Sequence, residues 1–335
     1  MSKTIYSILF LFAAFTAHSQ AKLNVVSSCS IFKDMALNIA GDHINLESIV
    51  PIGGDPHLHT PTPRDARIVA NADLILINGM TFEGWIEELI ENSGTKGKTI
   101  LITEGVNPIG STVYENSVDP HAWMNAENGL IYIKNIKDAL MAADQKNAST
   151  YQTNFDAYST QLKDAHSNMQ NFISKIPAGQ RTLVTSHDAF SYFGKAYGLD
   201  VEPIIGVSTE ADVQTSDMIR VSKVIEEKNI PAVFVESTIN PKILQQIAKD
   251  NDVVVGGELY ADSLGEPSSE GGTYVGMLLH NAKTISNALS KPRTINPAGK
   301  SSQKSPNFLT AGLLVLAGLL LLFLAIFLSR RNKNA

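Results

Sequence analysis

Residues 151–176 read YQTNFDAYSTQLKDAHSNMQNFISKI. Within them Tyr151, Phe155, Tyr158, Leu162, Ala165, Met169, Phe172 and Ile176 recur at alternating spacings of four and three. That spacing lays one apolar stripe along a single helix of at least 26 residues, roughly 39 Å long at the α-helical rise. A coiled coil has the same period, but one isolated stretch between two α/β segments more often packs along both of them. The reading is a stiff spine, spanning residues 143–177, that limits how far two flanking lobes can swing apart.

On its N-terminal side, residues 23–28, 44–50, 73–77 and 99–103 read as strands, with helices over 31–40, 63–71 and 82–92 between them. Short β-rich runs separated by helical periods imply a parallel sheet covered on both faces. The same alternation returns after the spine, with strands near 182–185, 201–205, 232–235 and 252–255. The fold class is therefore α/β, two lobes with mainly parallel sheets at residues 22–142 and 178–290, joined by one long helix.

Both ends carry a different signal. Lys3, an apolar run over 5–15 and small residues at Ala17, Ser19 and Ala21 have the layout of a secretory signal peptide over 1–21. Residues 308–328 are 21 uncharged positions, about 31 Å as a helix and long enough to cross a bilayer. Arg330, Arg331 and Lys333 follow and place the tail at 329–335 on the cytoplasmic side. Residues 291–307, with three prolines, four basic residues and no acid, read as a solvated tether. The body is thus expected outside the cytoplasm, periplasmic or at the cell surface, anchored by a C-terminal transmembrane helix.

Without the leader and tail the chain keeps 23 basic and 33 acidic residues, a net charge of −10, which argues against nucleic acid and mildly favours cations. Cys29 is the only cysteine, so neither an intramolecular disulfide nor a thiolate cluster is possible. Its place in the first strand region marks it as a buried small hydrophobe rather than a lipid attachment point.

Four polar positions follow strands at the end where open parallel sheets form their binding crevices. They are His57 in Gly54-Asp55-Pro56-His57, His121 in Asp119-Pro120-His121-Ala122-Trp123, His187 in Thr185-Ser186-His187-Asp188, and Asp262 in Tyr260-Ala261-Asp262-Ser263. A lone histidine in a loop ordinarily satisfies a nearby carbonyl, but packing does not explain the same Asp-Pro-His tripeptide returning 64 residues later. Three imidazoles and a carboxylate are a usual set for zinc or manganese. Asp55 and Asp119 are candidate supporting carboxylates, because a ligating imidazole usually donates its other N–H to one. His59 lies two residues from His57 on an extended loop, so alternation turns it away.

Together these motifs, with Pro61-x-Pro63-x-Asp65 after the first and Ser186-His187-Asp188-Ala189-Phe190-x-Tyr192-Phe193 around the third, resemble the zinc/manganese class of ABC-transporter solute-binding proteins from about Leu23 to Leu289. The resemblance implies two four-stranded lobes with one divalent ion, Zn2+ or Mn2+, in the cleft between them. It also implies ligands at His57, His121, His187 and Asp262, a membrane permease as partner, and a monomer that binds rather than catalyses. His187 stands where some manganese-type members carry glutamate, which leans toward zinc. Residues 73–119 hold no histidine, unlike the His-rich loop of many zinc-specific members, which leans back toward manganese. The C-terminal anchor also departs from members that are free or lipid-anchored.

Because ligating imidazoles must be neutral, affinity is expected to fall below about pH 6.5. Two other classes fit parts of the pattern: a zinc hydrolase, which needs an open metal position and a base that no His-Glu-x-x-His motif here supplies, and a cell-surface adhesin of the same fold.

Overall fold

The computed structural model describes residues 21–111, 118–206, 209 and 212–293. The expected membrane span and tail, and all but the last residue of the leader and the first three of the tether, lie outside these residues. Among the described residues no helix is long and apolar enough to cross a membrane.

The N-terminal half alternates β1 (Leu23–Ser27), α1 (Ser30–Ala40), β2 (Ile44–Ser48), α2 (Pro63–Ala70), β3 (Leu74–Ile77), α3 (Ile86–Ser93) and β4 (Lys98–Leu101). The four strands pair in parallel in the order β2-β1-β3-β4. Their central members are fully apolar where they face helices, with Val25, Val26, Leu74, Ile75 and Leu76 buried. The chain leaves β1 first to one side and then to the other, which opens a crevice at the carboxyl ends of β1 and β3.

Glu83 occupies that crevice floor. It accepts from Ser28 Oγ (2.6 Å) and from the amides of Asn78 (2.8 Å) and Gly79 (3.0 Å), so three donors at the ends of β1 and β3 share one buried carboxylate. Burial still pushes its pKa up, against those hydrogen bonds. The entry to α2 is fixed by a capping box between Thr62 and Asp65 with Pro63 in the first turn.

α4 (Ala126–Ala143) and then α5 (Ala148–Ser174) connect to the second half. α5 is the spine, 27 residues and about 40 Å long, packed against α1, α4 and α9 (Tyr274–Leu289). Tyr151, Tyr158, Leu162, Ala165, Met169 and Ile173 are its buried face. Phe155 and Phe172 of the expected stripe are only half-buried, their faces covered by the ammonium groups of Lys137 and Lys175.

The second half runs β5 (Thr182–Thr185), α6 (Ser191–Tyr197), β6 (Asp200–Pro203), α7 (Thr215–Glu227), β7 (Ala232–Glu236), α8 (Lys242–Asp250), β8 (Val254–Leu259) and α9. It departs from the expected four-stranded sheet: among the described residues its strands form two parallel pairs, β5 with β6 and β7 with β8. β5 lies beside β7, but a side chain makes the junction. Glu236, ending β7, takes the amides of Ser186 and His187 just past β5 (2.8 and 3.0 Å).

One cluster of buried apolar side chains continues through both halves. Tyr274 is part of the seam, lying so close to α4 that a Cβ at Gly129 would stand 2.5 Å from its hydroxyl oxygen. Only glycine permits that approach.

Candidate metal centre

His57 comes from the loop after β2. Its amide donates to Asp55 Oδ1 (2.8 Å), Trp85 Nε1 donates to Pro56 O (2.7 Å), and Phe82 meets the imidazole edge-on at 4.8 Å. A Cβ at Gly54 would sit 2.7 Å from Val50 Cγ1, so glycine lets the loop fold back over the end of the sheet.

His121 hangs from the end of β3. Asn78 Nδ2 donates to Pro120 O (3.0 Å), and Tyr132 OH donates to Asn78 Oδ1 (2.6 Å). Asp119 Oδ1 then accepts both the amide and the ring Nδ1–H of His121, each at 2.8 Å, which turns Nε2 inward.

His187 follows β5, with Glu236 as its counterpart of Asp119. Besides the two amides, Glu236 sets Oε2 2.7 Å from His187 Nδ1, a charge contact at an angle poorer than a good hydrogen bond. Asp262 follows β8, and Trp123 Nε1 donates to the carbonyl just before it (2.9 Å).

These four side chains converge. His57 Nε2 is 3.2 Å from His121 Nε2, His121 Nε2 is 3.4 Å from Asp262 Oδ1, and His187 Nε2 is 3.2 Å from Asp262 Oδ2. One donor atom from each lies within 4.8 Å of all the others. A tetrahedral ion with metal–ligand distances near 2.0–2.1 Å has ligand–ligand edges of about 3.3–3.4 Å, close to the His57–His121 and His121–Asp262 Oδ1 separations, while His187 faces the other Asp262 oxygen. His121, His187 and Asp262 are fully buried. His187 Nε2 and both Asp262 oxygens have no well-formed hydrogen bond, and buried polar atoms in that state call for a partner such as a cation.

Electrostatics sharpen the picture. Burial lowers the His57 pKa to about 3, outweighing the nearby Asp262 charge. Burial also disfavours a charged His121, yet Asp119 and Asp262 prevail and raise it to about 9. For His187 the same opposition of burial against Glu236 and Asp262 ends well above the ordinary histidine value. Asp262, despite burial, is held well below the carboxylate range by His187 and His121. The metal-free centre therefore keeps protons on two imidazoles that face a carboxylate anion.

The supporting carboxylates differ from expectation. Asp119 bonds its histidine's ring, but Asp55 bonds only the backbone of His57 and gives its second oxygen to Thr209 Oγ1 (2.7 Å). The His57 ring is oriented instead by Phe82. His59 points away, paired with Asp65 (3.0 Å) and packed on Trp85. Three residues that sequence reasoning missed hold the centre up: Glu236, Asn78 and Glu83. Glu236 ends β7 and Asn78 follows β3, the one local signal that marks them, while Glu83 lies in the turn between β3 and α3.

Comparison with known proteins gives the chain its relatives. The sequence pattern described as ZnuA, zinc-uptake complex component A, periplasmic, matches residues 25–288. The manganese ABC transporter substrate-binding lipoprotein PsaA of Streptococcus pneumoniae is 33% identical over 315 residues, covering 86% of this chain and 100% of the relative. Among solved structures, the periplasmic zinc binding protein TroA of Treponema pallidum superposes with a TM-score of 0.77 at 31% identity, over 81% of this chain and 100% of that one. The Mn-bound periplasmic metal binding protein of Candidatus Liberibacter asiaticus gives 0.74 at 32%, over 80% and 100%. A match across this much of the chain means that it belongs to the family described as ZnuA.

Proposed function

We propose that this protein is the extracytoplasmic metal-capturing subunit of an ABC transporter: a monomer that takes Zn2+ or Mn2+ between its two lobes with His57, His121, His187 and Asp262 and hands the ion to a membrane permease. The observation that carries the reading is the convergence in a buried site of one donor atom from each of four side chains, all within 4.8 Å of one another. The relatives are named as substrate-binding proteins of transporters, not as enzymes or adhesins. The donor set suits both ions, since three imidazoles and a carboxylate satisfy zinc directly and manganese with the second Asp262 oxygen or water. Because donors come from both halves, loading favours a closed arrangement that a permease can tell from the empty one.

Metal analysis of the protein from its own host, followed by competition between zinc and manganese, tests the reading. One ion per chain is expected, abolished in His57→Ala/His121→Ala. A full complement of metal in that double variant would refute it.

The S. pneumoniae relative is named a lipoprotein, but here the sole cysteine, Cys29, is 1% exposed at the start of α1 and offers no attachment point. We therefore assign tethering to residues 308–328. A chain truncated after Leu289 is expected to bind metal normally and to support less uptake at equal abundance. Equal uptake would show the tether to be dispensable.

A further inference from the structure

By chain order Asp262 belongs with His187 in the second half, but its hydrogen-bonded surroundings belong to the first. Up to Tyr260 the chain is tied to its own half, with the Tyr260 amide and carbonyl both on the Asn281 side chain and the Leu259 carbonyl on the Ser237 amide. From Ala261 onward the partners change. The Ala261 carbonyl accepts from Trp123 Nε1 (2.9 Å), Ser263 Oγ accepts from the Gly53 amide (2.7 Å), and the Leu264 amide donates to Ser30 Oγ (3.1 Å), which also meets Ser263 Oγ at 3.3 Å. Tyr274 completes the attachment, with its hydroxyl on the Trp123 carbonyl and its amide on Asp34 Oδ2 (3.0 Å). Asp34, Ser30, Gly53 and Trp123 are all N-terminal residues, and Ser30, Trp123 and Ser263 are buried.

His187 is held differently. Its ring and amide both rest on Glu236 of β7. Two hydrogen bonds from the first half reach its neighbourhood, Ser111 Oγ to Asp188 and the Ile109 amide to Tyr192 OH, both from the loop after β4; residues Ala122–Met124 pack against α6, and the rings of His57 and His121 lie against His187.

Building on the metal-capture reading, we infer that the four donors divide three and one: His57, His121 and Asp262 form a preset site on the N-terminal half, and His187, backed by Glu236, is the single donor that arrives on closure and departs on release. Ser263 and Trp123 are then positioning residues that fasten the Asp262 loop to the half it serves. Withdrawing one imidazole opens one coordination position, whereas a two-and-two division would strip half the shell in a single motion.

Zn2+ alone is the probe, with spin labels at Glu88→Cys and Lys249→Cys, both exposed; the native Cys29 is buried and does not compete. In the otherwise native full-length chain Zn2+ is expected to shorten the label distance. His187→Ala is expected to keep binding Zn2+ more weakly with no shortening, while Asp262→Ala, which leaves donors on both sides, still shortens. His187→Gln serves if the alanine variant does not fold.

A native-like closure in the His187 variant, or no Zn2+-dependent shortening in the native protein, overturns the three-and-one division. Failure of the native protein to bind Zn2+ or Mn2+ at all is the separate result that removes the metal reading itself. Ser263→Ala is expected to release Zn2+ about tenfold faster, with the off-rate restored by Ser263→Thr. An unchanged off-rate overturns the positioning role.

Discussion

Metal capture by this centre is expected to displace two protons at neutral pH, and the consequence is steep. In the metal-free site His121 is raised to about 9 and His187 lies well above its ordinary value, while His57 is lowered to about 3 and Asp262 is well below the carboxylate range. At pH 7.5 the first two therefore carry protons and the last two do not. Ligation requires a bare Nε2 on each imidazole. The free site holds the protons and the loaded site does not, so lowering the pH favours release. With two protons exchanged, the association constant falls about 100-fold for each pH unit over the range in which both imidazoles are protonated in the free site.

From pH 8 to pH 6 that amounts to about four decades, or about 5.4 kcal/mol at 1.36 kcal/mol per decade. Calorimetric titration with Zn2+ at pH 7.5, in buffers of differing ionisation enthalpy, counts the protons directly. About two per ion are expected. A count near zero, or an affinity that is flat from pH 8 to pH 7, refutes the argument and restores ordinary histidines that begin to compete only near pH 6.5.

Glu236→Gln removes the charge that holds a proton on His187, so proton release should drop from about two toward one and affinity should fall by about 10- to 100-fold; the same calorimetry reads both. Phe82→Ala empties a fully buried site beside the His57 ring, and chemical denaturation of the metal-free protein should show a loss of about 3–5 kcal/mol. Tyr132→Phe takes the donor from the Asn78 carbonyl oxygen, which should cost about 1–3 kcal/mol in urea unfolding while metal affinity stays within a fewfold of native.

Most of the architecture was legible because it rests on local period. The spine's three-four spacing yields a helix at Ala148–Ser174, and the short apolar runs yield strands such as β5. α4 is missing from the sequence reading although Tyr132, Ile133, Ile136 and Leu140 keep the helical period; that buried face packs against α1 and α5. The four converging donors were legible because strand ends are where an open sheet forms its crevice, and two of them carry the same rigid tripeptide.

What was not legible depends on partners far away in the chain. Glu236 acquires its role from amides 49 and 50 residues earlier, and Asn78 from a carbonyl 42 residues later. Their places at strand ends are local, but no local pattern encodes these partners. The repeated Asp-Pro-His shows the limit most clearly. In both copies the aspartate accepts the histidine's amide at 2.8 Å, which is the part of the motif that the tripeptide backbone determines. Only Asp119 also accepts the ring, because the His57 ring lies edge-on to Phe82 while Asp55 turns its second oxygen to Thr209. One histidine thus loses its proton to burial and the other keeps it through its carboxylate neighbours. The shared tripeptide delivers the same aspartate-to-amide hydrogen bond, and tertiary packing then pushes the pKa values of two imidazoles 3.2 Å apart in opposite directions, which is the asymmetry that proton counting will detect.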